Sequence, residues 1–326
     1  MITRRNIVCL IGASGLLPLP AIAQRSAKMP RIGVLLTLHS PSEAAPQAFN
    51  EGLRSHGYIE GKTIAIEWRA AGGDYDRLGP LAAELVQSKV DIVVADVTPA
   101  ARAARQASTS IPIIILVAAD PVRDGLVASL AHPGGNITGL SILLPDISAK
   151  RLQQLHQTIP AVTRVAIFWN PRTPYHKVLL KEVEAAAAKL RLNVLPIAVH
   201  GPGDLENAFS QLKKGMAGAL YVADDPMFVT ARSRVVELAA RDRLPTIFAH
   251  SEFVSSGGLM SYGPNLAETF RYAAVYVDKI LKGRKPSELP VEQAARLEFA
   301  INLKTAKALG IVVPHEIMLS ATRLIE

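Results

Sequence analysis

From residue 31 onward the chain sets down one order of elements twice, and few folds accommodate that. Apolar runs of strand length at 31–37, 63–68, 91–95 and 113–117 alternate with helix-patterned stretches at 44–56, 77–88 and 100–108. The second half repeats the order, with strands at 164–168, 193–197, 219–222 and 246–248 and helices at 175–190, 205–214 and 228–241. RIGVLLT from Arg31 parallels RVAIFWN from Arg164, VDIVVADVTP from Val90 parallels AGALYVADDP from Ala217, and Ile111-Pro112 parallels Leu244-Pro245, at offsets of 133, 127 and 133 residues. Strands that are apolar throughout belong in sheets covered on both faces, and regular strand–helix alternation makes such sheets parallel. The expectation is an α/β chain of two doubly wound, Rossmann-like parallel-sheet domains whose strand ends face one cleft. The chain should cross between them near 139–145, 258–264 and 297–302, making a hinge, with a long helix at 266–281, stopped by Gly283 and Pro286, returning to the first domain. One domain is then 31–142 plus 263–296 and the other 143–262 plus 297–326.

The first 23 residues follow a different logic. Arg4 and Arg5 precede an apolar stretch at 7–19, and Ala21 and Ala23 stand before Gln24, the pattern of a cleaved secretory signal. The adjacent arginines leave both the Sec and the twin-arginine route open. Cys9, the only cysteine, falls inside this segment behind Val8, where a lipoprotein signal needs a small residue, so the mature chain has no thiol to pair. Without Arg4 and Arg5 the count is 34 basic to 28 acidic residues, +6 over 303 residues. No basic block is interleaved with aromatics, which argues against nucleic acid as a partner. The remaining apolar runs are too short to cross a membrane. A monomer of two domains is the expectation.

The stretch 118–139, AADPVRDGLVASLAHPGGNITG, reads as a strand end, a short helix and a crossover. With SHGYIEGKTIAIEWR (55–69), KILKGRKPSELPVE (279–292) and INLKTAKALGIVVP (301–314), it resembles the solute-binding proteins of the ABC-transporter family that includes tryptophan- and tyrosine-binding members. The likeness extends over nearly the whole chain after residue 30. It implies a type I periplasmic binding fold, closing around a small solute and presenting it to the membrane permease of an ABC transporter.

In open α/β sheets ligands sit beyond the carboxyl ends of the strands. Those positions here are His39 and Ser40, Asp96 and Thr98, Asp120, Trp169 and Asn170, Tyr175, Asp225 and His250, with Tyr262 at a crossing. Thr98 is equally explained as the N-cap of its helix with Pro99 first inside it; as a helix start it also suits a ligand carboxylate, and the resembling family uses this loop in binding. Asp224-Asp225-Pro226 needs only one capping acid, so the other requires a partner, and the resemblance gives Asp225 a ligand amine. Trp169 and Tyr175 are stacking surfaces if they are not packed under their loop. Arg172 could answer a carboxylate but on a loop is ordinarily solvated. Relatives often carry an acid near the second crossing, where this chain has Tyr262-Gly263-Pro264-Asn265. That departure leaves an amino acid, an aromatic acid or another small nitrogenous or carboxylate solute open.

No P-loop, GxGxxG or GxSxG motif occurs, and His39, His200, His250 and Glu252 match no metal spacing. No catalytic residue, metal or cofactor is expected. Two other readings keep the same frame: an exported hydrolase using His250 with Asp224 or Glu252, and a periplasmic sensor that docks a membrane receptor.

Overall fold

The computed structural model describes residues 29–118, 120–142, 144–173, 175–293 and 297–326. The expected export signal lies outside them. The chain runs β1 (Arg31–Leu36), α1 (Ala44–Ser55), β2 (Ala65–Ala70), α2 (Leu78–Gln87), β3 (Ile92–Val97), α3 (Thr98–Ala107), β4 (Ile113–Ala118) and β5 (Ile137–Ser141). It continues through α4 (Leu144–Thr158), β6 (Arg164–Trp169), α5 (His176–Leu190), β7 (Asn193–Ala198), α6 (Leu205–Lys214), β8 (Ala219–Val222), α7 (Pro226–Thr230), α8 (Arg232–Arg241), β9 (Thr246–Phe248), α9 (Ser251–Ser255) and β10 (Met260–Pro264). Then come α10 (Leu266–Leu281), β11 (Glu292–Gln293), β12 (Leu297–Asn302), α11 (Leu303–Leu309), α12 (His315–Ser320) and β13 (Arg323–Ile325).

Two sheets result, ordered β11-β5-β4-β3-β1-β2 and β13-β12-β10-β9-β8-β6-β7. Replacing β1 to β5 by β6 to β10 turns the core of one into the core of the other, so the repeated sequence order is a repeated topology. In both, the strand order reverses between the first and third strands, the switch point where a crevice opens. The strands are buried on both faces: Ile32, Val34 and Leu36 of β1 enter one core cluster and Leu35 the opposite one. In β6, Val165 and Ile167 separate from Ala166 and Phe168 in the same way. Among the described residues no helix is long and apolar enough to cross a membrane.

The crossings explain the one antiparallel core pairing. Strand β10 leaves the second sheet after Pro264, and β12 re-enters at Leu297, its register partner, so the two must run in opposite directions. Strand β11 pairs parallel with β5 because both head out of the first sheet. Gly139, at φ +131, lies so close to β4 that a Cβ there would meet the Ile115 carbonyl at 2.1 Å, and one on Gly263 would meet the Ala249 carbonyl at 2.1 Å. The crossing strands β5 and β10 thus each carry a glycine where they press on their neighbours. Helix α10 returns to pack Leu266, Phe270, Ala273, Ala274 and Val277 against Ala45, Ala48, Phe49 and Leu53.

Three expectations are corrected. The short helix within 118–139 is a set of hydrogen-bonded turns, with Asp124 N–H donating to the Asp120 carbonyl and Leu126 N–H to Pro121; Pro121 and Gly125 leave too few residues between them for a helix. The single helix expected at 228–241 is two: α7 starts earlier, at Pro226, and stops at Ala231, whose φ −89 and ψ 13 are off the helical values. That bend lets Phe228 and Val229 enter the core while Val235, Val236, Leu238 and Ala239 of α8 lie on the sheet. Gly263 and Pro264 belong to the second sheet, so the crossing follows the expected boundary by two residues. Helix α4 was not anticipated.

Candidate functional site

The ends of β1 and β3 are tied by one carboxylate. Asp96, buried, accepts from Thr37 N–H at 2.6 Å, Thr37 Oγ1 at 2.8 Å, Leu38 N–H at 3.2 Å and its neighbour Val97 N–H at 2.8 Å. Burial pushes this carboxyl up, against the pull of His39 and of those donors. His39 is itself buried, 3.2 Å from Glu43 through Nδ1 and edge-on to Phe270. Asp96 therefore holds the loop that carries His39.

The ends of β6 and β8 are tied in the same manner by more groups. Asp225, 1% exposed, accepts from Thr173 Oγ1 at 2.5 Å, Asn170 Nδ2 at 3.2 Å and Met227 N–H at 2.9 Å, the last making it the N-cap of α7. His176 locks the loop from beneath: Nδ1 accepts from Asn170 N–H at 2.9 Å, which leaves Nε2–H to donate to the Asp224 carbonyl at 3.0 Å. The Asp224 carboxylate meets His250 Nε2 at 2.7 Å. Burial opposes ionisation of Asp224, but the charge and hydrogen bond of His250, with Arg151 and His176 behind them, hold it well below the usual carboxylate range. His250 is raised in turn, the Asp224 pairing outweighing its burial.

First-sheet loops reach these groups. Tyr75 is 38% exposed, yet its hydroxyl engages Thr173 and is pushed up by burial and by Asp225, Asp224 and Asp96 together. One phenol therefore senses acids from both sheets. Leu38 packs into the cluster of Phe228 and Val229, and Val117 packs with Tyr175 and Tyr262 around Ile142 and Ile147. Gly73, at φ +87, sits so near Thr230 that a Cβ would lie 2.8 Å from its hydroxyl.

The structure thus brings together His39, Asp96, Asn170, Tyr175, Asp225, His250 and Tyr262. It turns Ser40 and Asp120 to local work. Ser40 is exposed and meets Ser42 at 2.9 Å; Asp120 is exposed and accepts from Arg123 N–H at 3.0 Å. Thr98 is the first residue of α3, whose N-cap is Val97 with no side-chain cap, and its hydroxyl turns to Asp124. Trp169 is half-buried against the second-sheet core. The two adjacent acids divide as their sequence demands, Asp225 capping and Asp224 paired. Arg172 is exposed. Sequence reasoning missed Tyr75, Thr173, His176 and Arg151. Only Arg151 left a usable sign, standing four residues from both Ile147 and Leu155 on the buried stripe of α4.

Residues 31–325 match the family described as ABC transporter substrate binding protein. The chain belongs to this family. A tyrosine-binding protein from Clostridioides difficile (strain R20291) is 30% identical over 287 residues, which cover 88% of this chain and 82% of that protein. The structure of an ABC domain in complex with L-Trp from Streptococcus pneumonia superposes with a TM-score of 0.82 at 25% identity, covering 91% of this chain and 99% of that one. The ligand-free, open structure of a substrate binding protein with adhesive properties from Clostridium difficile covers the same shares at 26% identity, with a TM-score of 0.67. The two-sheet frame of this ABC transporter substrate binding protein is thus the periplasmic-binding frame of its solved relatives, as the sequence led one to expect.

Proposed function

We propose that this chain is the periplasmic solute-binding component of an ABC importer, a monomer whose two lobes close around a small carboxylate-bearing solute of the amino-acid or aromatic-acid class and deliver it to a membrane permease. The lobes in this reading are 31–142 plus 265–296 and 143–264 plus 297–326. The observation that carries the reading is the meeting of first-lobe loops with the second lobe: Gly73 lies against Thr230, Leu38 packs into the cluster of Phe228 and Val229, and the Tyr75 hydroxyl engages Thr173. Equal coverage and near-equal identity to the ligand-bound and the open relatives, with the better superposition on the bound one, support a closed arrangement here. Closure stabilised by contacts that the open state lacks is how such proteins respond to ligand. A relative that binds tyrosine and one holding L-Trp make those amino acids the first candidates.

The protein acts by binding, without turnover. His250 and Asp224 have dyad spacing, but His250 Nδ1 is buried without a hydrogen-bond partner, so no hydroxyl among the described residues is set against it. Export by the N-terminal segment completes the reading.

Thermal unfolding of residues 24–326 with L-tyrosine, L-tryptophan, aromatic acids, short dicarboxylates, nucleobases and sugars tests it. A ligand at about a hundred times its Kd adds roughly 2.7 kcal/mol and raises the midpoint by several degrees. One chemical class shifting the midpoint is expected; loss of substrate from solution during the assay, or no shift with any class, overturns the reading.

A further inference from the structure

Arg151, on α4, is the largest fully buried side chain, at 0% exposure. Its hydrogen bonds go to neutral acceptors. Nε donates to the Tyr262 carbonyl at 2.5 Å and Nη1 to the Tyr221 hydroxyl at a long 3.4 Å, while Nη2 is buried with no partner. Asp224 feels the guanidinium's charge but is already committed to His250 at 2.7 Å. The hydrogen bonds described for Arg151 include no carboxylate. A buried guanidinium left with only carbonyl and phenol acceptors is strongly unfavourable, and a carboxylate that satisfies its fork repays most of that cost.

The charge lies beside the contact between the two lobes. Tyr262, which holds Nε, lies on β10, the strand that crosses to the first lobe, and Tyr262 and Tyr175 are the aromatic residues packed with Val117 of the first sheet. Both phenols, and His250, feel the Arg151 charge.

We propose that Arg151 is the residue that binds the ligand's carboxylate, through Nη2 and, on release of the long Tyr221 contact, Nη1. Nε stays on the Tyr262 carbonyl and fixes the plane of the fork. The proposal rests on the solute-binding reading and narrows it, because the feature shared by amino acids and aromatic acids is the carboxylate. Arg172, the arginine visible from sequence, is exposed and is not needed for this role.

Calorimetric titration of the mature chain with L-tyrosine against tyramine, and L-tryptophan against tryptamine, reads the carboxylate directly. Wild type is expected to favour the acid of the matching pair by about 100-fold, and Arg151→Met to reduce that ratio to near one while leaving the amine's affinity within a few-fold. Arg151→Lys, which keeps the charge and loses the fork, should retain roughly a tenth of the ratio. It reads the same quantity if Arg151→Met does not fold. Wild type binding tyramine or tryptamine as tightly as its acid overturns the proposal, and so does a ratio unchanged in either variant. Binding by neither acid, with only nucleobases or sugars raising the midpoint in the unfolding panel, removes the carboxylate reading itself and the proposal with it. An acid preference undiminished from wild type in the variants removes Arg151 alone.

Discussion

The two sheets share one topology, and each closes its switch point with an acid, yet the two rims are built differently. In the first, Asp96 collects the backbone N–H groups of Thr37, Leu38 and Val97 and the Thr37 hydroxyl. In the second, the residue 133 positions after Thr37 is Asn170, and it reaches a carboxylate on the neighbouring strand end in the same way, now Asp225. Around that shared pairing the second rim adds His176, Asp224, His250 and Thr173. The first rim is backbone gripped by one side chain; the second is a network of side chains. Acids that stand at strand ends in sequence are thus occupied with tying neighbouring loops together.

This contrast is broken most severely at Asp225. Replacing it by alanine removes a helix cap and strands the Asn170 amide in a buried site, an expected loss of about 3 kcal/mol seen in urea unfolding. Asp225→Asn keeps an acceptor for Met227 N–H and should lose roughly half as much. If Asp225→Ala folds with wild-type stability and only loses ligand, Asp225 is a contact after all and the cap is incidental. Next in size is Asp96→Asn, which keeps one oxygen for Thr37 and Leu38 but sets an amide against donors, an expected loss of about 2 kcal/mol with weakened ligand response. An equal loss in both asparagine variants would mean that the two rims are energetically alike despite their construction.

The strands and most helices were legible because burial writes itself on the sequence: β1, β3 and β4 are apolar at every position that two covered faces require. Paired offsets showed the duplication, and it reappears as matching strand orders. Roles within the cleft were legible only to the level of which loops face it. Asp96 and Asp225 were found by position, but whether a carboxylate turns to its own backbone or to a ligand depends on a rotamer. Lys150 and Arg151 show the limit: they are neighbours of like charge, one half-buried and the other fully so, and only the phase of the α4 stripe separates them. Tyr75 was missed because its importance comes from contact with the other lobe, which no local pattern records.

The smallest effect is the pH dependence that His250 and Asp224 give the second rim. The groups around His250 are Asp224, which holds its charge, Glu252, which adds to it, and Arg151, which opposes it. Because pairing raises His250, its contribution to stability is complete below the ordinary histidine value of about 6.5 and is lost as pH rises through the higher folded value. Asp224 is depressed, so its contribution is present above about 3.9, the ordinary aspartate value, and is lost as pH falls through the lower folded one. The pair therefore favours the fold most between about pH 4 and 6.5, and urea midpoints should decline on going from about pH 6 to pH 9. His250→Gln keeps a hydrogen-bond donor for Asp224 without the titration, so its midpoint should start lower at pH 6 and decline less. A wild-type decline that persists undiminished in His250→Gln assigns the titration elsewhere, and the second rim's network then holds its shape through hydrogen bonds without the charge.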